Sequence, residues 1–166
     1  MPRKLAGKSA AGEAIPDPGQ RIAQRLAHYC CELAEEERIG GEFEAARSLL
    51  REALSHDKCS VRASMLLAQV EWDAGRYGQA AQALRRVRVQ DPDYLPETIE
   101  LLRKCYAAVD DRESLRAYLL ECLAMRATPA LVAAVAEDMA EAEGDMAASE
   151  FLAAPLVEQP SLRVLS

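Results

Sequence analysis

Aromatic side chains are scarce in this chain of 166 residues, where they make up 5% of the sequence, and acidic residues (27) outnumber lysine plus arginine (20). Alanine, leucine, glutamate and arginine dominate instead, a mixture that favours helices and leaves little material for strands. The net charge of -7 excludes a general nucleic-acid binder, because phosphate backbones are held mainly by dense lysine and arginine. We therefore expect an all-α protein that does not bind nucleic acid.

Long hydrophobic runs are also missing. No stretch approaches the ~20 consecutive apolar residues that span a bilayer, and the N-terminal residues MPRKLAGKSAAGEAIPDPG lack the apolar centre of a signal peptide. We expect the chain to be soluble and not to insert into a membrane itself.

The five cysteines are odd in number and form no C-x-x-C pair, so the sequence indicates neither a disulfide framework nor a paired-cysteine metal site. Cys30 and Cys31 are adjacent and point about 100° apart on a helix, which prevents them from binding one metal together without distortion. We predict reduced, cytosolic, structural cysteines, with no metal site and no cofactor in this chain.

Catalytic motifs are absent from the sequence, which has no glycine-rich phosphate loop, no G-x-S-x-G turn and no H-E-x-x-H pair. His28 has no converging partner, since His56 lies at the far end of the neighbouring predicted helix. The carboxylates between residues 32 and 37 fit a solvated helix face better than an acid–base pair. We predict that the protein is not an enzyme; a hydrolase or transferase would need a convergent polar pocket.

A repeated phrase runs through the chain. The segment GEFEAARSLLREALSHDK begins at Gly41, and GRYGQAAQALRRVRVQDPD begins at Gly75, 34 residues later. The same shift aligns further pairs, namely Leu33 with Leu67, Ala46 with Ala80, Leu50 with Leu84, and Asp57 with Asp91. Further steps of 35 and 34 residues continue the pattern, so about four units cover the chain from Ala27 to Pro160.

Each unit contains a helix, a turn centred on glycine or aspartate, a second helix, and a break at Asp-Lys, Asp-Pro, Arg-Ala-Thr-Pro or Gln-Pro. Glycine supplies the left-handed backbone that ends the first helix, and proline favours a restart. With ends placed to within ~2–4 residues, we predict helices at residues 21–39, 42–56, 60–74, 77–90, 95–109, 112–126, 129–142 and 146–158.

This period and pattern resemble the tetratricopeptide repeat, whose characteristic positions are matched by Leu67, Ala68, Gly75, Tyr77, Ala80, Leu84 and Pro92. The resemblance implies helical hairpins that stack into a right-handed superhelical solenoid with a concave wall formed by the first helices. Ala46 and Ala80 would let the two helices of a hairpin approach closely. A leucine layer would lie between successive hairpins, formed by Leu33, Leu50, Leu67 and Leu84.

Two units depart from the pattern. The third has one inserted residue and Leu115 at the small position, so its helices should splay slightly, and the fourth carries Pro155, which should kink or shorten its second helix at a cost of about 3 kcal/mol. We divide the chain into a flexible N-terminal segment, residues 1–20, and a repeat domain, residues 21–166. The repeats lie at about 27–60, 61–94, 96–129 and 130–160, followed by the start of a further helix at 161–166.

A longer ordered match points to one family. The segments IAQRLAHYCCELAEEE, ARSLLREALSHDKCSVRASMLLAQVEWDAGRYGQAAQALRRV, ETIELLRKCYAAV and EQPSLRV resemble, in this order, the later repeats of the lipopolysaccharide assembly protein B (LapB) family. The resemblance covers roughly residues 20–166. Family members carry an N-terminal membrane-anchoring helix and a C-terminal rubredoxin-like metal module with paired C-x-x-C motifs, and this sequence contains neither. The resemblance therefore implies the middle section of a longer protein, whose exposed solenoid ends would allow a homodimer.

The resemblance also implies a function. The family acts as an adaptor at the cytoplasmic face of the inner membrane, where it brings the deacetylase LpxC, which commits the cell to lipid A synthesis, to the membrane protease FtsH. We therefore expect a non-enzymatic scaffold that regulates lipopolysaccharide synthesis through protein partners. The alternative is a co-chaperone-like module that clamps the acidic tail of a chaperone, which would want lysine and arginine along its groove.

Repeats of this type line their concave wall with recurring positions of each first helix. These positions predict a set of partner-binding residues: His28, Cys31, Glu35 and Arg38 in the first unit, Arg62, Met65, Gln69, Trp72 and Asp73 in the second, and Glu97, Glu100 and Lys104 in the third. Their mixed charges disfavour the chaperone-tail alternative. Trp72 is the only tryptophan, and the sequence leaves two placements open, a binding hot spot in the groove or packing against the next hairpin near Tyr106.

Overall fold

The chain folds into a succession of helical hairpins. The computed structural model describes residues 17–158, with side chains for residues 17–153, and this part contains eight α-helices and no strand. The helices are α1 (Pro18–Ile39), α2 (Phe43–His56), α3 (Val61–Asp73), α4 (Tyr77–Gln90), α5 (Leu95–Ala108), α6 (Arg112–Met125), α7 (Pro129–Glu143) and α8 (Asp145–Glu158). A short 3₁₀ helix, Pro92–Tyr94, precedes α5. The predicted all-α fold and the eight predicted helices are confirmed, each helix end lying within three residues of its predicted place.

Each helix packs against the next one along the chain, so that α1 pairs with α2, α3 with α4, and α7 with α8. In addition, α1 packs against α3 and α5 packs against α7, which places first helices of successive hairpins side by side. This is the arrangement of a helical-hairpin solenoid, in which the first helices share one wall. None of the described helices is long and apolar enough to cross a bilayer.

The first helix of each of the first three hairpins ends in a left-handed turn. Gly41 and Gly75 have φ angles of 82° and 72°, and Asp110 takes the same place in the third hairpin with a φ of 53°. In all three turns the next amide donates to the carbonyl five residues earlier, from Glu42 to Glu37, from Arg76 to Glu71 and from Asp111 to Tyr106. Glycine adopts a positive φ without strain, and aspartate is one of the few other residues that tolerate it. The predicted turns centred on glycine or aspartate are therefore confirmed.

The second helices end in an extended residue. Asp57, Asp91 and Arg126 follow α2, α4 and α6 with φ angles of -135°, -156° and -156°. The chain then restarts with capped helices, because the hydroxyls of Ser60 and Thr128 each accept a hydrogen bond of 3.3 Å from the amide three residues later. The breaks between repeats are thus encoded by local residues.

The core follows the repeat, with one exception at its first helix. Ala46 and Ala80 are fully buried between the paired helices, and Leu50, Leu67 and Leu84 are buried as predicted. Leu33 is 43% exposed, so its predicted place in the core is wrong. The buried residues of α1 are Ala27, Cys30, Cys31 and Ala34, and Leu33 lies instead in an exposed apolar stripe with Ile22, Leu26 and Tyr29.

The third hairpin is packed more loosely than the first two. Leu115 is buried where the first two hairpins have alanine, and the backbones of α5 and α6 approach each other closely at far fewer positions than those of α1 and α2 or α3 and α4. A leucine side chain occupies more volume than a methyl group, so it holds the two backbones apart. The predicted splay of this hairpin agrees with the structure.

Two predictions concern the ends of the chain. One is that Pro155 kinks or shortens α8. The helix continues through position 155 to Glu158, so shortening is wrong and the kink stays a prediction. The predicted flexible segment at 1–20 lies outside the described residues as far as residue 16, and α1 already begins at Pro18. The predicted further helix at 161–166 lies outside them altogether.

Buried ion pairs join neighbouring hairpins. Glu71 of α3 is 3% exposed and lies between Arg47 of α2, at 2.8 Å, and Arg76 of the following turn, at 2.5 Å. In the second half of the chain Asp138 of α7 is also 3% exposed, and it accepts a hydrogen bond of 2.7 Å from Arg116 of α6. A buried carboxylate is tolerated only when a cation compensates it, so these pairs fix how α2 meets α3 and how α6 meets α7.

Candidate partner-binding surface

The wall formed by α1 and α3 carries most of the predicted partner-binding residues. His28, Glu35 and Arg38 project from α1, and Arg62, Met65, Gln69 and Asp73 project from α3. Equivalent side chains from the two helices meet because α1 and α3 pack side by side. Two groups of polar contacts, one around each arginine, connect the helices.

Arg38 holds the C-terminal ends of α1 and α3 together. Its Nε and one terminal nitrogen donate to the two carboxylate oxygens of Glu35 at 2.8 and 2.9 Å, and its other terminal nitrogen donates to Asp73 at 2.6 Å. The hydrogen bonds from Arg38 lower the pKa of Glu35, and those to Glu35 and Asp73 raise the pKa of Arg38. Glu35 is therefore ionised at neutral pH, and the single guanidinium of Arg38 is shared between two carboxyl groups.

Arg62 joins the middle of the same two helices. One terminal nitrogen lies 2.8 Å from Nδ1 of His28, and the other donates to Glu32 at 2.6 Å. A guanidinium can only donate, so Nδ1 of His28 is the acceptor and the ring proton is on Nε2. Glu32, which the sequence suggests to be an ordinary solvated carboxylate, thus takes part in holding the wall.

A pocket of about 560 Å³ opens on this wall. Four of the predicted residues, Glu35, Arg62, Met65 and Gln69, line it. Six others that the sequence analysis missed also line it, namely Cys59, Val61, Leu66, Gln90, Asp91 and Tyr94. The Asp-Pro break after α4 is the feature that could have indicated the last two, because it turns the chain back toward α3 between the second and third hairpins.

The predicted residues of the third unit belong to a different hollow. Glu100 and Lys104 of α5 form an exposed ion pair of 3.1 Å and line a hollow of about 510 Å³ together with Arg103, Asp138 and Glu141. Glu97 is exposed one turn earlier on α5. The predicted set is therefore divided between two concave regions along the chain.

Two predicted groove residues are placed differently. Cys31 is fully buried and cannot contact a partner, so its assignment to the groove is wrong. Trp72 is half-buried, and its ring lies 4.8 Å from that of Tyr77 at an interplanar angle of 55°. Its ring contact is thus within its own hairpin, across the Gly75 turn, and not with Tyr106 of the next hairpin.

The cysteines and histidines do not converge. Cys30, Cys31, Cys105 and Cys122 are buried and Cys59 is exposed. Burial raises the pKa of the Cys30 and Cys31 thiols, and it raises the pKa of Cys105 to about 11. Among the residues with described side chains, no three histidine, cysteine or carboxylate groups lie in position to hold a metal ion.

The pattern of hairpins matches known proteins. A tetratricopeptide-repeat family model matches residues 40–105. Lipopolysaccharide assembly protein B (LapB) of Escherichia coli strain K12 is 30% identical over 146 residues, which make up 87% of this chain and 37% of that protein. The chain is a LapB-like tetratricopeptide-repeat segment. The protein of the same name from Haemophilus influenzae is 33% identical over 115 residues, covering 69% of the LapB-like chain and 29% of the relative.

The LapB-like chain spans little more than a third of the length of the Escherichia coli relative. Two solved structures of MamA share its fold. They have TM-scores of 0.52 and 0.51 at 17% and 16% sequence identity, and they cover 76% and 86% of this chain and 74% of their own. At this level of identity the likeness concerns the fold alone.

Proposed function

We propose that this LapB-like segment is a non-enzymatic adaptor whose concave wall, formed by α1 and α3, binds partner proteins. By similarity to LapB, its role is to regulate lipopolysaccharide synthesis at the cytoplasmic face of the inner membrane. The partners are the deacetylase LpxC and the membrane protease FtsH, which the adaptor brings together so that the deacetylase is degraded. Such a role requires a preformed docking surface and no catalytic group.

The observation that supports this proposal most directly is the cross-linked wall between α1 and α3. Arg38 and Arg62 connect the two helices through two carboxylates, those of Asp73 and Glu32, and one imidazole, so the exposed side chains between them are held in fixed positions. A surface that is ordered before binding loses less conformational entropy when a partner docks. The adjacent pocket adds apolar area, which gives a partner side chain a place to be buried.

The co-chaperone alternative is disfavoured by the same contacts. Clamping an acidic tail requires lysine or arginine side chains that are free to meet carboxylates. Arg38 is already bound by Glu35 and Asp73, and Arg62 by Glu32. At these two positions the wall therefore offers no uncompensated positive charge to such a tail.

The proposal is tested by measuring retention of purified deacetylase and of the cytoplasmic part of the protease on immobilised chain. The variant Arg62→Glu replaces the cross-link between α1 and α3 with two carboxylates that repel each other, which disorders the wall and should lower retention of at least one partner about tenfold or more. The matched control Arg51→Glu makes the same charge change at an exposed residue of α2, away from this wall, and should leave retention unchanged. Equal retention by wild type and Arg62→Glu would remove the assignment of the concave wall.

A further inference from the structure

The pocket beside α3 has a chemical character of its own. Its lining includes Val61, Met65 and Leu66 of α3, and Tyr94 from the 3₁₀ helix lies across from them. Tyr94 is 48% exposed, so a large part of its ring is available to a ligand. An aromatic face, a thioether and two branched aliphatic side chains together accept the apolar stem of a long side chain.

The charges that line the pocket are unbalanced. Asp91 lines it, and its Oδ1 accepts a hydrogen bond of 3.0 Å from the amide of Asp93, but no cation pairs with it among the described side chains. Glu35 lines it as well and shares the single guanidinium of Arg38 with Asp73. The one cation in the lining, Arg62, is matched by Glu32. The pocket therefore has a negative excess of about two charges, counted at full ionisation of its carboxylates.

An apolar interior with carboxylates and an exposed aromatic ring fits one kind of side chain best. Arginine has an apolar stem, a planar guanidinium that stacks on aromatic rings, and donors that match carboxylates. Lysine shares the charge but lacks the planar group. A volume of about 560 Å³ also leaves room for the side chain next to the arginine.

We infer that this pocket binds an arginine of the partner protein, flanked by an apolar residue, with its guanidinium between Glu35, Asp91 and the ring of Tyr94. The inference rests on the proposed function, because it specifies the partner chemistry that the concave wall recognises. It assigns to Asp91 and Tyr94, which lie outside the first helices, the choice of side chain that enters.

The test uses four fluorescein-labelled nonapeptides that differ at one central position between two leucines. The position holds arginine, citrulline, lysine or glutamate, and citrulline keeps the shape of arginine without its charge. Fluorescence anisotropy with the whole chain at low salt should show that the arginine peptide binds about tenfold or more tightly than the citrulline peptide, as expected for charge-assisted hydrogen bonds. Lysine should fall between them, and glutamate should bind least. Equal affinities for arginine and citrulline, or no saturable binding of the arginine peptide, would overturn the inference.

A pair of double variants separates the pocket from the net charge of the protein. Glu35→Gln/Asp91→Asn removes the two charges and keeps an acceptor oxygen for Arg38 and for the amide of Asp93, so the fold should be preserved. It should abolish the preference for arginine over citrulline and leave citrulline binding unchanged. The control Glu113→Gln/Glu150→Gln changes the net charge equally at exposed residues of α6 and α8. An equal loss of preference in the control would assign the effect to long-range charge and overturn the inference.

A third variant tests the aromatic face, and the readouts keep the two proposals apart. Tyr94→Leu keeps an apolar side chain and removes the ring, so it should lower the affinity for the arginine peptide severalfold and the affinity for the citrulline peptide less. Equal effects on both peptides contradict stacking by the guanidinium.

If Arg62→Glu loses the protein partners while the peptides show no arginine preference, only the pocket inference fails. If the wild type retains neither protein partner while the arginine preference is present, only the proposed function fails.

Discussion

Removing the charge of Glu71 should destabilise the fold more than removing any exposed carboxylate. The Glu71 side chain is 5% exposed and lies between Arg47 and Arg76, whose side chains are 12% and 30% exposed. The substitution Glu71→Gln keeps the size of the side chain but leaves the two guanidinium groups with only the exposed carboxylate of Glu44 as a counter-charge. Breaking a buried ion pair costs about 3–5 kcal/mol, and because Arg76 retains some contact with water we expect about 3 kcal/mol.

Urea unfolding followed by circular dichroism at neutral pH measures this loss. With a slope of about 2 kcal/mol per molar, a loss of about 3 kcal/mol lowers the urea midpoint by about 1.5 M. The control Glu100→Gln removes a carboxylate whose pair with Lys104 is 75% and 56% exposed, and it should cost less than about 0.5 kcal/mol. Replacing Arg47, Glu71 and Arg76 together by apolar residues of similar volume should recover most of the loss. The reasoning is refuted if Glu71→Gln and Glu100→Gln have the same midpoint.

Three further predictions concern the turns, the thiols and the wall. Gly75→Ala should lower the free energy of unfolding by about 1–2 kcal/mol, because a residue with a Cβ is strained at positive φ even though the Cβ meets no other atom there. Asp110→Gly removes such strain and should raise the free energy of unfolding by up to about 1 kcal/mol. Thermal unfolding measures both changes. Among the cysteines of the native chain, only exposed Cys59 should react quickly with a disulfide reagent at neutral pH. Cys105, with its pKa raised to about 11, should react only at alkaline pH or on unfolding. Rapid loss of all five thiols would contradict the burial of the other four. Arg38 lowers the pKa of Glu35 from 4.5, so this carboxylate stabilises the fold above about pH 4.5. The stabilisation is lost as the pH falls through the pKa that Glu35 has in the folded protein. In Glu35→Gln, the free energy of unfolding should therefore fall less steeply as the pH is lowered.

The helices could be predicted from the sequence because their ends are set by neighbouring residues. Gly41 and Gly75 need only their own backbone freedom to end α1 and α3, and the hydroxyls of Ser60 and Thr128 cap the helices that follow them. Leu33 shows where this local logic stops. Leu33 aligns with the buried Leu67 in the repeat. Leu67 is buried because other helices cover its face of α3, whereas no described helix packs on the face of α1 that carries Leu33.

The candidate site was predicted only in part, for a similar reason. The register of the repeat placed Arg62, Met65 and Gln69 on the concave wall, because their direction follows from their own helix. The position of Tyr94 depends on how the 3₁₀ helix lies between two hairpins, which is a long-range property of the packing. The contact between Trp72 and Tyr77 could have been predicted from the sequence, because the tight turn at Gly75 brings the end of α3 next to the start of α4.

The loose packing of α5 against α6 gives the array a compliant joint. The α1–α4 half is held by closely spaced backbones and by the buried Glu71 pairs, so we expect it to resist bending. The second hollow is built from α5, α6, α7 and the turn between α5 and α6, and therefore straddles the joint. Bending between α5 and α6 would widen or narrow this hollow and leave the pocket beside α3 unchanged. The protein would then present one binding surface of fixed shape and one whose width adapts to partners of different size.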